Sequence, residues 1–247
     1  GLGLLLLAGS FPKLLPELRS MPRTSMWWLA AVPAAGVLLA AACNPPGWLW
    51  ASEFAGYDAL SYHLQLPREW HAAGRVWPVD HNVYSYLPSY VEAAFVHLAA
   101  MTGTPRDGFV TAEGTLLVSC QLLHAGMTLI GGAVVASATR TIALRCGLRD
   151  RASLAGVIAG GLTIATPWSV VTGSLAYNEM GVILLVGAAM VAAASDAVPP
   201  VRRGVAGGLL VGAACGCKPT AILFGAPLVG IVLLMSWPPR QWLPGFA

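Results

Sequence analysis

Charge is scarce in this sequence. Its 247 residues include 14 Lys or Arg and 11 Asp or Glu, 10% in all, where soluble domains carry about 25%. With 56% hydrophobic residues, a water-soluble globule of this length has too little polar surface to cover its apolar side chains, whereas a bilayer solvates them directly. The net charge of +3 is too small to point to nucleic acid. Cysteine is sparse too: Cys43, Cys120, Cys146, Cys215 and Cys217 all fall outside the long polar stretch 44–113, which argues against a disulfide framework there. The one-residue gap between Cys215 and Cys217 is poor for structural zinc, so these read as small buried side chains. The apolar run 1–9 has no basic segment before it, unlike a signal peptide. It reads as the tail of a span that continues upstream, and the chain as a fragment of a longer protein. Internal repeats and low-complexity tails are also missing.

What is present is a series of apolar runs near membrane-spanning length. They predict spans at about 26–43, 114–139, 152–168, 175–194, 204–217 and 219–237, the fifth unusually short. The expected fold is all-α, a single polytopic bundle of transmembrane helices with one long outer loop. Gly131-Gly132, Gly160-Gly161 and Gly207-Gly208 are packing signals, since small residues let helices approach closely in lipid. Trp27, Trp28, Trp168 and Trp237 sit at span ends, as interfacial anchors do.

Basic residues alternate between connectors. Lys13, Arg19 and Arg23 precede the first full span, Arg140, Arg145, Arg149 and Arg151 follow the second, Arg202 and Arg203 precede the fifth, and Arg240 follows the last. The intervening connectors are poor in Lys and Arg: 166–174 has none, and 44–113 has three Arg against seven acids. Because Lys and Arg stay on the cytoplasmic side, the loop 44–113 is expected outside the cytoplasm of a multi-pass protein, in a bacterial inner membrane.

That loop holds Glu53, Asp58, Glu69, Asp80, Glu92, Asp107 and Glu113, together with His63, His71, His81 and His97. A loop this long is usually functional or disordered, and its Tyr, Trp and Leu content argues against disorder. Asp58 is placed to N-cap a helix through Leu66, with Pro67 opening a further turn that Gly74 stops. Pro88 is placed to open a second helix, with Val91, Ala94, Phe95 and Leu98 on one face. Two amphipathic helices resting on the bilayer, with an aromatic and polar turn between them, would form a pocket at the membrane surface.

The stretch Tyr57-Asp58-Ala59-Leu60-Ser61-Tyr62-His63-Leu64 resembles the first outer loop of the GT-C glycosyltransferases. This superfamily of polytopic enzymes includes protein mannosyltransferases and lipid A aminoarabinose transferases. Asp58 and Tyr62 match the family's acid followed four residues later by Tyr. Tyr86-Leu87-Pro88-Ser89-Tyr90 resembles its later Pro- and Tyr-containing segment. Ala176-Tyr177-Asn178-Glu179 resembles a motif at the outer end of a later span, and Gly216-Cys217-Lys218-Pro219-Thr220 resembles its Gly-x-Lys-x-Thr stretch. The usual Asp-Glu pair is Asp58-Ala59 here, so the second acid is missing. The resemblance implies a membrane glycosyltransferase that takes a sugar from a polyprenyl-phosphate donor, inverts its anomeric centre and passes it to a lipid, glycan or protein acceptor on the outer face.

That chemistry assigns roles. An inverting transfer needs a base for the acceptor hydroxyl, and Asp58 is the candidate; a plain helix N-cap is its other reading. A leaving phosphate needs a positive partner. Lys218 is the first choice, against simple snorkelling, with Arg75 and Arg68 as alternatives. Tyr62, His63, Asp80, Tyr86 and Glu179 are expected to line the substrate pocket, although Glu179 also suits a helix N-terminus. Asp80 and His81, with Asp58 or His63, are candidate ligands for a divalent metal, and no other cofactor is expected. A transporter or flippase of a lipid-linked or small polar substrate is the competing class, although such proteins place polar sites at the bilayer midplane. An inactive structural relative is the third.

Overall fold

Proline and glycine punctuate the apolar runs and set where each helix starts and stops. The computed structural model describes residues 26–46, 48–50, 56–108 and 115–236, and among them every regular element is helical. A 3₁₀ turn, Met26–Ala31, leads into α1 (Val32–Ala42), which carries a proline in its first turn, where the missing N–H costs no bond. A π-turn, Ala59–His63, leads into α2 (Gln65–Ala73). Gly74 stops α2 at φ +69°, a left-handed cap that glycine adopts without strain. After the 3₁₀ turn Val83–Tyr86 come α3 (Tyr90–Met101), α4 (Thr115–Arg145) and α5 (Arg149–Ala165). The remaining helices are α6 (Pro167–Ser174), α7 (Glu179–Ala194), α8 (Pro200–Cys217) and α9 (Ala221–Ser236). The run 1–9, Lys13, Arg19, Arg23, Glu53, Glu113, Trp237 and Arg240 lie outside the described residues.

The 31-residue α4 is the centre of the bundle; α1, α3, α5, α6 and α7 all pack on it. Its contact with α5 depends on glycine. A Cβ on Gly160 would lie 2.5 Å from the Gly132 carbonyl oxygen, and one on Gly156 2.6 Å from that of Ala136. Of the three glycine pairs, Gly132, Gly160 and Gly207 face a neighbouring helix closely, while Gly161 and Gly208 face open space. On the other side α7, α8 and α9 pack on one another around Ala189, Ala193, Val211, Val229 and Val232. All five cysteines are free thiols.

Several boundaries differ from the sequence reading. The span expected at 114–139 continues to Arg145, and the short fifth one begins at Pro200. The connector 166–174 is largely helical. A proline disfavours helical backbone in the residue before it; Thr166, with ψ 124°, breaks the chain there, and α6 leaves α5 at 57°. The span expected at 175–194 becomes helical only at Glu179, because Leu175–Asn178 is tied down by side chains. Asp58 is already in helical backbone and makes no cap bond with its side chain, so the N-cap reading does not hold. The apolar face of α3 is covered by protein rather than left for a bilayer. Val91, Phe95 and Ala99 are buried with Leu64, Leu116, Cys120, Ala176 and Cys217. Trp70 is equally buried, its indole N–H donating to the Trp77 carbonyl (2.7 Å).

Among the described residues one helix, Leu116–Arg145, is by itself long and apolar enough to cross a membrane; α5 and α6 reach that length as a bent pair. The apolar helices Met26–Ala42, Glu179–Ala194 and Ala221–Ser236 are shorter. Sixteen helical residues, as in α7 and α9, rise about 24 Å, less than the roughly 30 Å hydrocarbon core of a bilayer.

Candidate functional site

Four stretches far apart in sequence meet at the end of the bundle where α7 and α9 begin and α8 stops. They are the π-turn, α3, the extended lead into α7, and the end of α8. In the π-turn the Leu64 N–H reaches back five residues to the Ala59 carbonyl (2.9 Å); such widened turns recur at functional sites. Tyr62 and His63 then project with their rings 4.0 Å apart, and Tyr62 stacks on Tyr84 at 4.1 Å.

His63 is buried, and its Nδ1 donates to Oε1 of Glu92 (2.5 Å), which is buried as well. The Asn178 amide N–H₂ donates to the same Glu92 oxygen (3.3 Å) and to the Cys217 carbonyl (3.0 Å). Both partners are acceptors, so the amide nitrogen must face them and the amide oxygen must face away. That oxygen, Oδ1 of Asn178, and Oε2 of Glu92 are buried without a hydrogen-bond partner. Both residues line a cavity of about 160 Å³, together with Tyr62, Tyr84, Ser89 and Lys218. An unpaired buried acceptor costs about 1–3 kcal/mol, and both of these oxygens lie behind the cavity wall with no accessible surface.

Lys218 follows the last residue of α8, and its ammonium donates to Oε1 of Glu179, the first residue of α7 (2.5 Å). The pair is partly exposed and stands at the cavity edge. Asp58 is one step back: it accepts from the Tyr62 hydroxyl at 3.4 Å. Burial, helped by Asp58, Glu179 and Glu92, holds the Tyr62 phenol well above its ordinary pKa. The phenol therefore stays protonated at neutral pH and acts as a donor.

The remaining sequence candidates turn to other partners. Arg75 lies over the Trp77 ring at 5.3 Å. Asp80 is exposed and accepts from the Tyr86 hydroxyl at 3.4 Å. His81 is paired with Glu69 (3.1 Å), which also takes the Gln65 amide. Asp80 and His81 do not converge with Asp58 or His63; among the described residues no group of three His, Cys, Asp or Glu is placed to hold a metal ion.

Two site residues escaped notice in the sequence. Glu92 is the only charged residue in Tyr90–Met101; a single acid in an apolar run was the available signal. Asn178 lies inside the Ala176-Tyr177-Asn178-Glu179 stretch, in which only Glu179 is assigned a role from the sequence. A third polar residue, His124 on α4, shapes the site from behind. Its Nδ1 donates to the Leu175 carbonyl (2.7 Å), and its Nε2 accepts from the Met180 N–H (3.2 Å). Both ring nitrogens are thus engaged in holding the extended lead that presents Asn178. No family model, curated protein or solved structure matches the chain.

Proposed function

We propose that the protein is a GT-C-like membrane glycosyltransferase that moves a sugar from a polyprenyl-phosphate donor to a lipid, glycan or protein acceptor. The observation that carries this reading is the cavity of about 160 Å³ lined by Tyr62, Tyr84, Ser89, Glu92 and Asn178, with one ammonium, Lys218, at its edge. A cavity of ~150 Å³ holds one six-membered ring. The polar side chains of the lining suit sugar hydroxyls, and a phosphate is the counterpart of the ammonium.

In this reading the acceptor hydroxyl attacks the anomeric carbon as its proton passes to Asp58. The bond from that carbon to the phosphate oxygen breaks, its electron pair leaves with the polyprenyl phosphate, and the centre inverts. Tyr62 orients the Asp58 carboxylate, and Lys218 turns from Glu179 to the leaving phosphate.

The protein is further proposed to be a multi-pass protein of a bacterial inner membrane, with the site on the outer face. Support comes from the alternation of basic connectors. It also comes from large apolar side chains exposed on helix surfaces, among them Ile130, Ile158, Leu162, Leu223, Phe224 and Ile231; soluble monomers rarely expose so much.

The test is sugar transfer from a polyprenyl-phosphate donor by the full-length protein. Asp58→Asn is expected to lower the rate by about 10²–10⁴-fold, and Tyr62→Phe by less. Full activity of Asp58→Asn alongside an inactive Glu92→Gln would move the base to the carboxylate inside the cavity. Labelling of Asn82→Cys only from the cytoplasm would overturn the orientation.

A further inference from the structure

The opposite end of the bundle carries a second polar cavity that glycosyl transfer does not use. It begins with a turn. At the end of α4 the Leu148 N–H donates to the Ala143 carbonyl (2.9 Å) and the Gly147 N–H to that of Leu144 (3.2 Å). With Gly147 at φ +80° this is a left-handed helix stop of the Schellman type. The chain reverses within three residues, and Arg149, the first residue of α5, comes to face Arg140 and Arg145 on α4. These three guanidinium side chains, with Thr141 and Asp196, line an open cavity of about 540 Å³.

The single acid of this lining is already engaged. Asp196 accepts from Arg145 and, at 3.3 Å, from Arg203, and its own side chain is largely exposed. Arg145 is also fixed by donation from Nε to the Ala194 carbonyl (2.6 Å). Among the described residues the lining therefore holds three guanidiniums, of which Arg145 is the one fixed by Ala194, and one shared carboxylate. The residue at the α5 N-cap, Leu148, gives no side-chain cap, and Asp150 is the acid of the first turn.

We propose that this cavity binds a phosphate-bearing anion, held by the Arg140 and Arg149 guanidiniums against Arg145. Forked guanidinium donors match phosphate oxygens in pairs, which a single ammonium does not. The phosphate comes either from the headgroup of an anionic phospholipid, as basic pockets at helix ends in membranes take, or from the free ion. The site is independent of the donor site: its residues lie at the other ends of α4 and α7.

The test follows thermal unfolding of the detergent-solubilised full-length protein with three probes: phosphatidylglycerol, phosphatidylcholine and inorganic phosphate. A saturable rise in Tm with phosphatidylglycerol and none with phosphatidylcholine is expected, weakened roughly 30-fold in Arg140→Gln/Arg149→Gln, at about fivefold per arginine. Arg151→Gln/Arg202→Gln removes the same charge from the same end outside the cavity and should bind as the parent does. A rise with inorganic phosphate that the cavity pair also abolishes identifies the free ion as the source. If no probe gives a rise sensitive to Arg140 and Arg149, or if the outer pair weakens binding equally, the site does not exist. Should the double variant fail to fold, Arg149→Gln alone, at an exposed position, makes the same comparison at about fivefold.

Discussion

Nδ1 of His63 and Oε1 of Glu92 lie 2.5 Å apart, with both side chains at most 3% exposed. The two residues are 29 positions apart, and their contact pins the π-turn to α3. Removing one partner leaves a buried polar group without compensation, which costs about 1–3 kcal/mol. Glu92→Ala is therefore expected to lower unfolding stability by about that amount. The paired apolar replacement His63→Phe/Glu92→Leu should lose less than the sum of its single changes. Strict additivity in denaturant melts would show that the contact contributes nothing.

Lys218 and Glu179 form an ion pair at the edge of the cavity of about 160 Å³. If Lys218 exchanges Glu179 for a phosphate, Lys218→Met should raise KM for a polyprenyl-phosphate sugar roughly tenfold or more, since hydrogen bonds to charged groups contribute about 1.5–3 kcal/mol. Glu179→Gln removes the competitor and should not raise KM. An unchanged KM in Lys218→Met assigns the lysine to structure alone.

Gly160 and Gly161 are neighbours in sequence with opposite surroundings. A Cβ at Gly160 would meet the Gly132 backbone, whereas one at Gly161 meets nothing within 4 Å. Gly160→Ala is expected to cost about 1–3 kcal/mol, because helix backbone cannot move aside cheaply. Gly161→Ala should be neutral or stabilise by up to about 1 kcal/mol. The Tm difference between the two variants measures the closeness of α4 and α5.

The Tyr62 phenol gives a pH test. Burial and the carboxylates around it raise its pKa in the folded state above the ordinary 10.0. A raised folded value means that the stability contribution is complete below the unfolded pKa. It is lost as pH rises above about 10. Tyr62→Phe should therefore melt with a shallower alkaline decline than the parent above pH 10 and show the same slope from pH 6 to 9. Equal slopes above pH 10 would mean that the phenol is not perturbed.

Much of the helical order was legible in the sequence because helix punctuation is local chemistry. Gly74 stops α2 as expected, and Val91 and Phe95 take the buried face of α3. Arg202 and Arg203 masked the start of α8, since a hydropathy run ends at charge while a helix does not. Thr166 and Pro167 looked like a connector because a bend and a loop have the same residue signature.

The composition by itself determined an apolar helical protein with its acids gathered in one segment, since residue type and spacing decide what a chain can bury. The sequence also sets Asp58 and Tyr62 four residues apart, the spacing of one helical turn, across which the structure shows their hydrogen bond. Only the tertiary structure decided that Glu92 belongs with His63 and Asn178, that Glu179 holds Lys218, and that Arg75, Asp80 and His81 turn elsewhere. Each of those outcomes depends on which helix ends meet. A side chain's partner across 29, 39 or 86 residues is set by helix length and crossing, which no local pattern encodes.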